Sequence, residues 1–359
     1  MRKPVPILAF QPNCQWMFLK YRISVTICLV MKWLNHELHI KPVDTFIDPI
    51  RPVNRAIITH GHSDHARAGH NHVLATSQTI EIMKARYGPK CANHFQPLNY
   101  GKPLRFGGVE ITLFPAGHIL GSAQVCVEYK GQRVVVTGDY KIVADNSAQY
   151  FELVRCDLLV TEATFGLPVF QHPQPAEEIA KLLASLATNS DRPHLIGAYA
   201  LGKSQRIIKL LREAGFEEPI YLHGAQAKIC EYYQSQGVDL GCLEKVRHNE
   251  YENFHGKVVI APPSAIRDRW SQRFKNPLIC RASGWMTVKQ RAKQSGVELP
   301  LIISDHADWN EITQTIRETE AETVWVTHGR EDAVVHWCRL NGLNAQPLYI
   351  QGREEEMSE

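Results

Sequence analysis

Ala56–His65 reads AIITHGHSDH, a β-branched run that leads directly into three histidines and one aspartate. Its first four residues are typical of a short strand, and imidazoles and carboxylates are ligands that suit zinc, manganese or iron. Within such a tight loop, His60 and His62 can point to one side while Asp64 and His65 point to the other. The stretch therefore predicts a site for two adjacent metal ions at the end of a strand.

Four more segments with metal-binding side chains follow other predicted strands. They are Gly117-His118, Gly138-Asp139, Asp305-His306 and Thr327-His328. A single histidine at a strand end is usually a hydrogen-bonding residue, and a His-rich surface turn is the alternative for the first stretch. Five such strand ends in one chain are not explained by packing, so we expect their side chains to meet in one site.

The chain has 359 residues and a mass of 40.7 kDa, which is enough for two domains or one large one. Between residues 40 and 166, short β-branched runs are separated by turn residues, whereas from residue 175 helical spacing alternates with strand-like runs. This alternation predicts an α/β insert with parallel strands over residues 190–298. The insert would divide a first domain into residues 31–189 and 299–359, after an extension or mis-assigned start at residues 1–30.

The overall charge excludes a histone-like binder, because 40 Lys and Arg against 37 Asp and Glu give a net charge of only +3. A polyanion would have to bind at a local patch, and Lys257–Lys293 provides one, with nine basic residues and the single acid Asp268. Trp270, Phe274 and Trp285 are interleaved with these charges, which is typical of a groove that neutralises phosphates and stacks bases. The alternative is a solvated helix face above core aromatics.

The nine cysteines never come closer than twelve residues and form no C-x-x-C pair, which argues against a thiolate zinc site or a disulfide framework. Scattered free thiols are typical of a reducing compartment, so we expect a cytoplasmic protein. The apolar run Ile23–Met31 is far shorter than the roughly 20 residues that a membrane span needs, and no membrane partner is expected.

In their order along the chain, these motifs resemble those of the metallo-β-lactamase superfamily, and specifically of its β-CASP nuclease branch. They are HGHSDH at 60–65, GH at 117–118, TGD at 137–139, TEATFG at 161–166, SDHAD at 304–308 and THG at 327–329. The resemblance covers residues 40–345 and implies an α/β protein, a metallo-β-lactamase αββα sandwich with an inserted α/β β-CASP domain.

A narrower set of segments resembles the bacterial ligase-associated DNA exonucleases, which accompany ATP-dependent DNA ligases in repair. The segments are FIDPIRPVNRAIITHGHSDHARAGH at 46–70, TGDYK at 137–141, EATFGLPVF at 162–170 and RASGWM at 281–286. This similarity favours DNA over RNA as the nucleic acid and implies an ATP-dependent DNA ligase as a further partner.

The resemblance implies a site with two divalent metal ions, for which zinc is the first candidate and manganese the second. The ligands would be His60, His62 and His118 for one ion, Asp64, His65 and His328 for the other, and Asp139 between the two. Asp64 would also be catalytic, as would His306, which would protonate the leaving oxygen or hold a phosphate oxygen while Glu162 orients it. Two adjacent metals can lower the pKa of a shared water, so that a metal-bound hydroxide attacks the backbone phosphate.

The leading prediction is a two-metal phosphodiesterase that degrades DNA from an end, as an exonuclease in repair. Lys203, Arg281, Trp285 and Lys141 are the predicted substrate-binding residues. An RNA-processing nuclease is the alternative, because a histidine at the position of His328 is more typical of RNA-cleaving β-CASP proteins.

One motif competes with this interpretation. Gly197–Ser204 reads GAYALGKS and satisfies the phosphate-binding pattern G-x-x-x-x-G-K-[ST] between a strand-like run and a helix, so a P-loop ATPase is a remote alternative. The residues between its glycines are bulky, and the insert is small for an NTPase core. The segment also resembles the β-CASP segment whose basic residue approaches the substrate cleft, which makes Lys203 a predicted contact for the nucleic-acid backbone.

Overall fold

The structure is a computed structural model that describes residues 33–247 and 254–348. The strands in these ranges are β1 (His39–Ile40), β2 (Thr45–Ile47), β3 (Arg55–Ile57), β4 (His70–Ala75), β5 (Ala92–Pro97), β6 (Leu104–Phe106), β7 (Val109–Pro115), β8 (Ala123–Tyr129), β9 (Gln132–Val136), β10 (Leu158–Ala163), β11 (His194–Gly197), β12 (Ile220–Leu222), β13 (Leu243–Lys245), β14 (Val258–Ala261), β15 (Leu278–Ala282), β16 (Leu299–Leu301), β17 (Thr323–Gly329) and β18 (Asn344–Pro347). The α-helices are α1 (Ser77–Tyr87), α2 (Pro175–Thr188), α3 (Lys203–Glu213), α4 (Gly224–Ser235), α5 (Pro263–Ile266), α6 (Lys289–Gln294), α7 (Trp309–Glu318) and α8 (Glu331–Leu340).

Two facing sheets form the first domain. The five-stranded sheet has the order β1-β2-β3-β4-β5, and the seven-stranded sheet has the order β18-β17-β10-β9-β8-β7-β6. Apolar residues from both sheets share one core, among them Ile57, Leu113, Val134 and Trp325. Helix α1 packs on the outer side of the first sheet, and α7 and α8 pack on the outer side of the second. This helix–sheet–sheet–helix order confirms the predicted αββα sandwich.

Local sequence sets the turns at the strand ends. β8 and β9 are joined by Lys130-Gly131, both with positive φ (51° and 75°), which is the two-residue turn that antiparallel hairpins favour. The predicted strand over Ala56–Thr59 ends earlier, at Ile57. The reason is that the amide of Thr59 donates to the carboxylate of Asp48 (2.7 Å) instead of to a neighbouring strand.

The insert is built on a separate six-stranded sheet with the order β13-β12-β14-β11-β15-β16, in which every adjacent pair is parallel. The parallel α/β arrangement is the one predicted. Outside the predicted bounds 190–298, β16 pairs with β15, and Ile179 and Leu182 of α2 pack into the core of the insert. The packing unit of the insert therefore includes α2 and reaches Leu301.

Within residues 33–247 and 254–348, no α-helix combines the length and the apolar character that crossing a membrane requires. The apolar run Ile23–Met31 and the predicted extension at residues 1–30 lie outside the described residues. The seven cysteines in the described ranges are all free thiols.

A buried arginine joins the insert to the first domain. Arg206 on α3 is only 1% exposed, and its guanidinium donates to the carbonyl of Gly117 (2.9 Å) and forms an ion pair with Asp145. Nearby, the hydroxyl of Tyr233 on α4 accepts the amide N–H of Leu120 (3.1 Å). These contacts fix the loop after β7 against the insert.

We expect Arg206→Met to lower the free energy of unfolding by about 3–5 kcal/mol, because the substitution leaves a buried carboxylate without its partner. Urea-induced unfolding measures the difference. Arg105→Met is the matched control, since Arg105 pairs with Glu110 at the surface with 77% of its side chain exposed, and loss of such a pair should cost less than about 1 kcal/mol. Equal effects of the two substitutions would contradict the assigned role of Arg206.

Candidate metal centre

The ends of four strands bring the predicted ligands to one edge of the sandwich. The histidine loop 60–65 follows β3, His118 follows β7, Asp139 follows β9, and His328 lies near the end of β17. Seven side chains meet there in two groups, and within each group the potential ligand atoms lie within 4.8 Å of one another. The structure thus brings together all seven residues that the sequence suggested as ligands.

The first group consists of His60, His62, His118 and Asp139, all buried. Nε2 of His60 lies 3.3 Å from Oδ2 of Asp139, and Nε2 of His118 lies 3.8 Å from the same oxygen. Nδ1 of His62 is 3.0 Å from Nε2 of His118. Three imidazoles and a carboxylate that converge in this way form a donor set suited to zinc or manganese.

The second group consists of Asp64, His65 and His328. Nε2 of His65 is 3.5 Å from Oδ2 of Asp64, and the rings of His65 and His328 are stacked with their centroids 4.8 Å apart. The other carboxylate oxygen of Asp139, Oδ1, lies 3.4 Å from Nε2 of His65. Asp139 therefore turns one oxygen to each group, which is the geometry of a carboxylate that bridges two ions.

Four buried polar atoms of the cluster make no hydrogen bond of normal geometry. They are Nε2 of His60, Nε2 of His65, Oδ1 of Asp64 and Oδ1 of Asp139. Buried polar atoms in folded proteins are nearly always satisfied, and cations between the two groups would satisfy these four. The residues fit a two-metal centre, and the cluster is able to bind metal ions.

Asp48 holds two of the ligands from behind, although the sequence did not identify it as a site residue. It accepts a hydrogen bond from Nδ1 of His65 (2.7 Å) and from the amide and hydroxyl of Thr59 (2.7 and 2.6 Å). The Thr59 hydroxyl is in turn 3.1 Å from Nδ1 of His60. These contacts leave Nε2 of both imidazoles to face the centre. The available signal was the position of Asp48 directly after β2, beside the histidine loop.

Two backbone carbonyl groups set the ring orientation of the other histidines. Nδ1 of His118 is 2.7 Å from the carbonyl oxygen of Asp305, and Nε2 of His62 is 3.2 Å from the carbonyl oxygen of Leu201. Because a carbonyl can only accept, each of these ring nitrogens carries the proton and the opposite nitrogen presents a lone pair. His62 therefore offers Nδ1 and His118 offers Nε2 to the centre.

His328 reaches the centre through an irregularity in β17. Its φ is +55°, a conformation that residues other than glycine rarely adopt. β10 and β17 pair Glu162 with Thr327 and Ala163 with Gly329, so His328 is an extra residue on its strand. Such a bulge re-aims a side chain next to a functional site, and here it places the His328 ring in the second group.

Burial and neighbouring charges shift the pKa values of the cluster residues in directions that favour binding of cations. Burial and the neighbouring His65 lower the pKa of His60 to about 4, and burial lowers the pKa of His118 well below its ordinary value, so both rings are neutral at neutral pH. Burial alone would raise the pKa of Asp64 and of Asp139, but the surrounding imidazoles, His65 first among them, together outweigh it and lower the first pKa to about 2 and the second well below its ordinary value. Although burial lowers it, Asp139 and Asp64 raise the pKa of His65, whose proton an incoming cation would displace.

His306 and Glu162 form a pair directly beside the first group. Nδ1 of His306 is 2.9 Å from Oε2 of Glu162, whose other oxygen accepts the amide N–H of Tyr140 (2.9 Å). The hydroxyl of Thr164 also donates to Glu162. Although burial lowers it, Glu162 and Asp139 raise the pKa of His306 to about 10. Glu162 is thus held in place and in turn fixes the His306 ring, which leaves Nε2 available.

A pocket lies above the centre, between the first domain and the insert. It is lined by His62, Asp64, Asp139, Thr164, Phe165, Tyr199, Lys203, Ser283, Trp285, His306 and His328. Four of these residues, from Tyr199 to Trp285, belong to the insert, which therefore covers the centre. Trp285 closes one side, because its ring packs against Phe165 and Phe170 with centroids 5.1 and 5.0 Å apart.

The predicted substrate-binding residues have different surroundings. Trp285 and Lys203 line the pocket, although the ammonium group of Lys203 is paired with Asp305 at 2.7 Å. Lys141 does not line it, because its side chain is buried in an ion pair with Glu311. The prediction that Lys141 contacts substrate is therefore corrected, since this lysine ties the loop after β9 to α7.

Arg281 lies outside the pocket, in a neighbouring hollow that Arg267 also lines. Burial lowers the pKa of the Arg281 guanidinium, and the nearby charges of Arg267 and Arg291 lower it further. The guanidinium of Arg291 lies 4.2 Å from the ring centroid of Trp285. Arg267, Arg281 and Arg291 thus lie close to one another, beside the pocket wall that Trp285 forms.

The aromatic residues of the basic stretch 257–293 have two different roles. Phe274 is buried in a core cluster with Tyr221 and Phe254, and Trp270 packs against the same cluster. Trp285 instead lines the pocket above the metal ligands. Phe274 and Trp270 are therefore core residues, and Trp285 is the aromatic residue of this stretch that lies where it could contact a substrate.

A family model described as "Beta-lactamase superfamily domain" matches residues 29–190. This part of the chain is therefore similar to the β-lactamase superfamily domain. The match ends where the insert was predicted to begin. A solved structure of a protein of unknown function from Enterococcus faecalis V583 has a TM-score of 0.57 and 12% identity, covering 86% of this chain and 81% of that one. The likeness in fold therefore extends beyond the superfamily domain.

Three relatives illustrate the range of proteins to which the chain is similar. A protein of Opitutus terrae named "Probable DNA ligase" is 28% identical over 322 residues, which are 88% of this chain and 31% of the relative. The cleavage and polyadenylation specificity factor subunit 3 of Dictyostelium discoideum is 26% identical over 329 residues, 73% of this chain and 42% of the relative. Endoribonuclease YSH1 of Gibberella zeae is 31% identical over 146 residues, 38% of this chain and 17% of the relative. The chain spans less than half the length of each.

We expect the wild-type protein to retain two divalent ions per chain and Asp139→Ala to retain fewer than two, because the Asp139 carboxylate contributes to both groups. Mass-spectrometric metal analysis after loading with zinc or manganese and gel filtration measures the content. Asp44→Ala is the control, since Asp44 pairs with His39 at the surface with 66% of its side chain exposed. Two ions on Asp139→Ala would contradict the bridging role.

Proposed function

We propose that this chain is a two-metal phosphodiesterase that degrades DNA from an end. Asp139 carries the proposal, because it turns one carboxylate oxygen to each ligand group at the bottom of a pocket that also holds His306. Two ions side by side can act on both the attacking and the leaving oxygen of a phosphoryl displacement.

The side chains of this chain would supply binding, orientation and a proton. The ions would be held by His60, His62 and His118, by Asp64, His65 and His328, and by Asp139 between them. Zinc suits this nitrogen-rich donor set, and manganese is the alternative. When bound, such ions supply charge stabilisation and a water of lowered pKa. His306, held by Glu162, would donate a proton to the leaving oxygen or hold a phosphate oxygen.

The surroundings of the pocket support a nucleic acid as the substrate. A strand that leaves the pocket beside Trp285 would meet Arg291, Arg281 and Arg267. Aromatic rings next to guanidinium groups stack bases and neutralise phosphates without requiring a particular base sequence. A small-molecule substrate would have no use for such an extended basic surface.

DNA and a ligase partner are supported by similarity to the relative named "Probable DNA ligase", which extends over 88% of this chain. The matched segment makes up 31% of that relative, so most of the relative lies outside the segment that resembles this chain. We therefore propose that this chain acts in DNA repair together with an ATP-dependent DNA ligase. The free thiols of the described cysteines support a reducing, cytoplasmic setting.

An RNA-processing nuclease is the second candidate. The relatives named cleavage and polyadenylation specificity factor subunit 3 and endoribonuclease YSH1 favour it, as does the histidine at position 328 in the second ligand group. Their matches cover 73% and 38% of this chain, less than the match to the ligase-named relative. DNA is therefore the first choice.

Oligonucleotides of identical sequence, made as DNA and as RNA and labelled at either end, separate the two candidates. We expect the zinc- or manganese-loaded protein to shorten DNA stepwise from one end and to cleave RNA more slowly. Asp139→Ala should show no cleavage above background, because the substitution removes a ligand from both metal groups. Products are resolved on a denaturing gel. Faster cleavage of RNA would favour the second candidate, and failure of the metal-loaded protein to cleave either polymer would refute both.

We expect Glu162→Gln to reduce kcat about 10–100-fold, because loss of the carboxylate charge weakens the hold on the His306 ring, as for other outer partners of active-site histidines. KM and metal content should stay close to wild type, since the amide can still accept the Tyr140 N–H. Steady-state kinetics on a DNA substrate and metal analysis measure these quantities. A wild-type kcat would remove Glu162 from the mechanism, and a loss of metal would assign it a role in binding ions instead.

A further inference from the structure

The loop Gly197–Ser204 has the sequence of a phosphate-binding loop but uses its polar groups within the protein. The amide of Gly202 donates to Oε1 of Gln205 (2.7 Å), and the amide of Ser204 donates to the carbonyl of Tyr199 (3.1 Å). A P-loop instead directs such amides at a phosphate. These amides are already engaged, so the loop needs another explanation.

This loop reaches the metal centre at two points. Nζ of Lys203 forms an ion pair with Oδ1 of Asp305 at 2.7 Å, with side chains that are 5% and 2% exposed. The backbone carbonyl of Asp305 accepts a hydrogen bond from Nδ1 of His118 (2.7 Å). The carbonyl of Leu201, two residues before the lysine, accepts one from Nε2 of His62 (3.2 Å). Each contact fixes one ring of the first ligand group.

Gly202 allows the loop to come this close. Its φ is +87°, and a Cβ at this position would lie 2.3 Å from Cγ2 of Ile119 and 3.3 Å from Oδ2 of Asp305. A side chain would not fit at such distances, and glycine alone adopts this φ without strain. The insert is therefore packed directly against the segment that carries His118.

We infer that this insert loop positions the first metal-ligand group. Lys203 holds His118 through Asp305, and the Leu201 carbonyl holds His62, so that the ion at this group binds tightly only when the insert is docked on the first domain. The inference rests on the proposed two-metal function but not on which nucleic acid is cut. It makes Lys203 a positioning residue instead of a contact for the nucleic-acid backbone.

The physical basis is the freedom of the imidazole rings. A ring that is held in its ligand orientation before the ion arrives loses little rotational freedom on binding. Partners that fix metal-binding histidines typically contribute about 10–100-fold to metal affinity. Removing the Lys203 ammonium frees Asp305, whose carbonyl then no longer fixes the tautomer and direction of His118.

Metal retention tests the inference without any substrate. Lys203→Met keeps most of the aliphatic stem and removes the ammonium. Zinc-loaded protein is dialysed against increasing concentrations of a chelator, and the remaining zinc per chain is measured by mass spectrometry. We expect the affinity for one of the two ions to fall about 10–100-fold, while the ion at Asp64, His65 and His328 is retained as in the wild type.

Two further variants separate positioning from general destabilisation. Arg192→Met removes an arginine of the insert from its ion pair with Glu298, with side chains that are 19% and 46% exposed, and should retain both ions with wild-type affinity. Lys203→Met/Asp305→Asn leaves no unpaired charge buried, so it should fold as the wild type does and still lose the same ion as the single variant. Thermal unfolding followed by circular dichroism checks the fold of each variant.

Wild-type retention of both ions by Lys203→Met or by the double variant would overturn the inference and leave the two-metal function intact. An equal loss from Arg192→Met would also overturn it, because the effect would then follow from opening an ion pair elsewhere in the insert. If wild-type protein itself retained no zinc, the two-metal centre and this inference would fall together.

Discussion

The carboxylate of Asp139 is the group on which the site depends, because each of its oxygens faces a different set of imidazoles. Burial opposes its ionisation, and the neighbouring imidazoles, His65 first among them, together overcome that cost. A buried charge is tolerated only where opposite charge compensates it, which here means protonated imidazoles or the cations that replace those protons. Gly138 makes the placement feasible, since its φ is +57° and a Cβ there would lie 2.8 Å from Thr59, the residue that joins Asp48 to the histidine loop.

The sandwich alone does not complete this site. Strand ends supply the ligands and Asp48 supports two of them, but the ring of His62 is held by a carbonyl of the insert. The same insert places Tyr199 and Trp285 in the pocket wall. The insert therefore has two roles at this site. The carbonyl of Leu201 orients His62, while Tyr199 and Trp285 border the space where a substrate would lie. Its attachment through Arg206 is buried and charge-paired, which favours one docked arrangement.

The sequence pointed to the residues of this cluster because each follows a β-branched run, and local patterns define such strand ends. The sequence pattern could not predict contacts between residues that are far apart along the chain. Lys141 resembles a substrate contact beside Asp139, yet its partner Glu311 is 170 residues away along the chain. Similarly, which nitrogen His62 presents depends on Leu201, and the pairing of β16 with β15 depends on a sheet whose other strands lie far away in sequence. The local sequence pattern predicts the strands and helices, whereas the packing between them decides which polar side chains remain available to bind a metal or a substrate.

The segment from Asp305 to Asp308 contacts the insert, the metal-ligand cluster and α7. Its first residue is held by Lys203 of the insert and presents its carbonyl to His118, its second is His306, and its last caps α7 by accepting the amide of Glu311 (3.0 Å). A shift of the insert would therefore move a ligand partner and the proposed proton donor together, because consecutive backbone atoms carry both. Glu162 opposes such a shift from the other side, since its position is fixed at the end of β10. The orientation of the predicted ligands and the proposed proton donation would thus depend on the same docked contact, and both would be complete only when the insert covers the pocket.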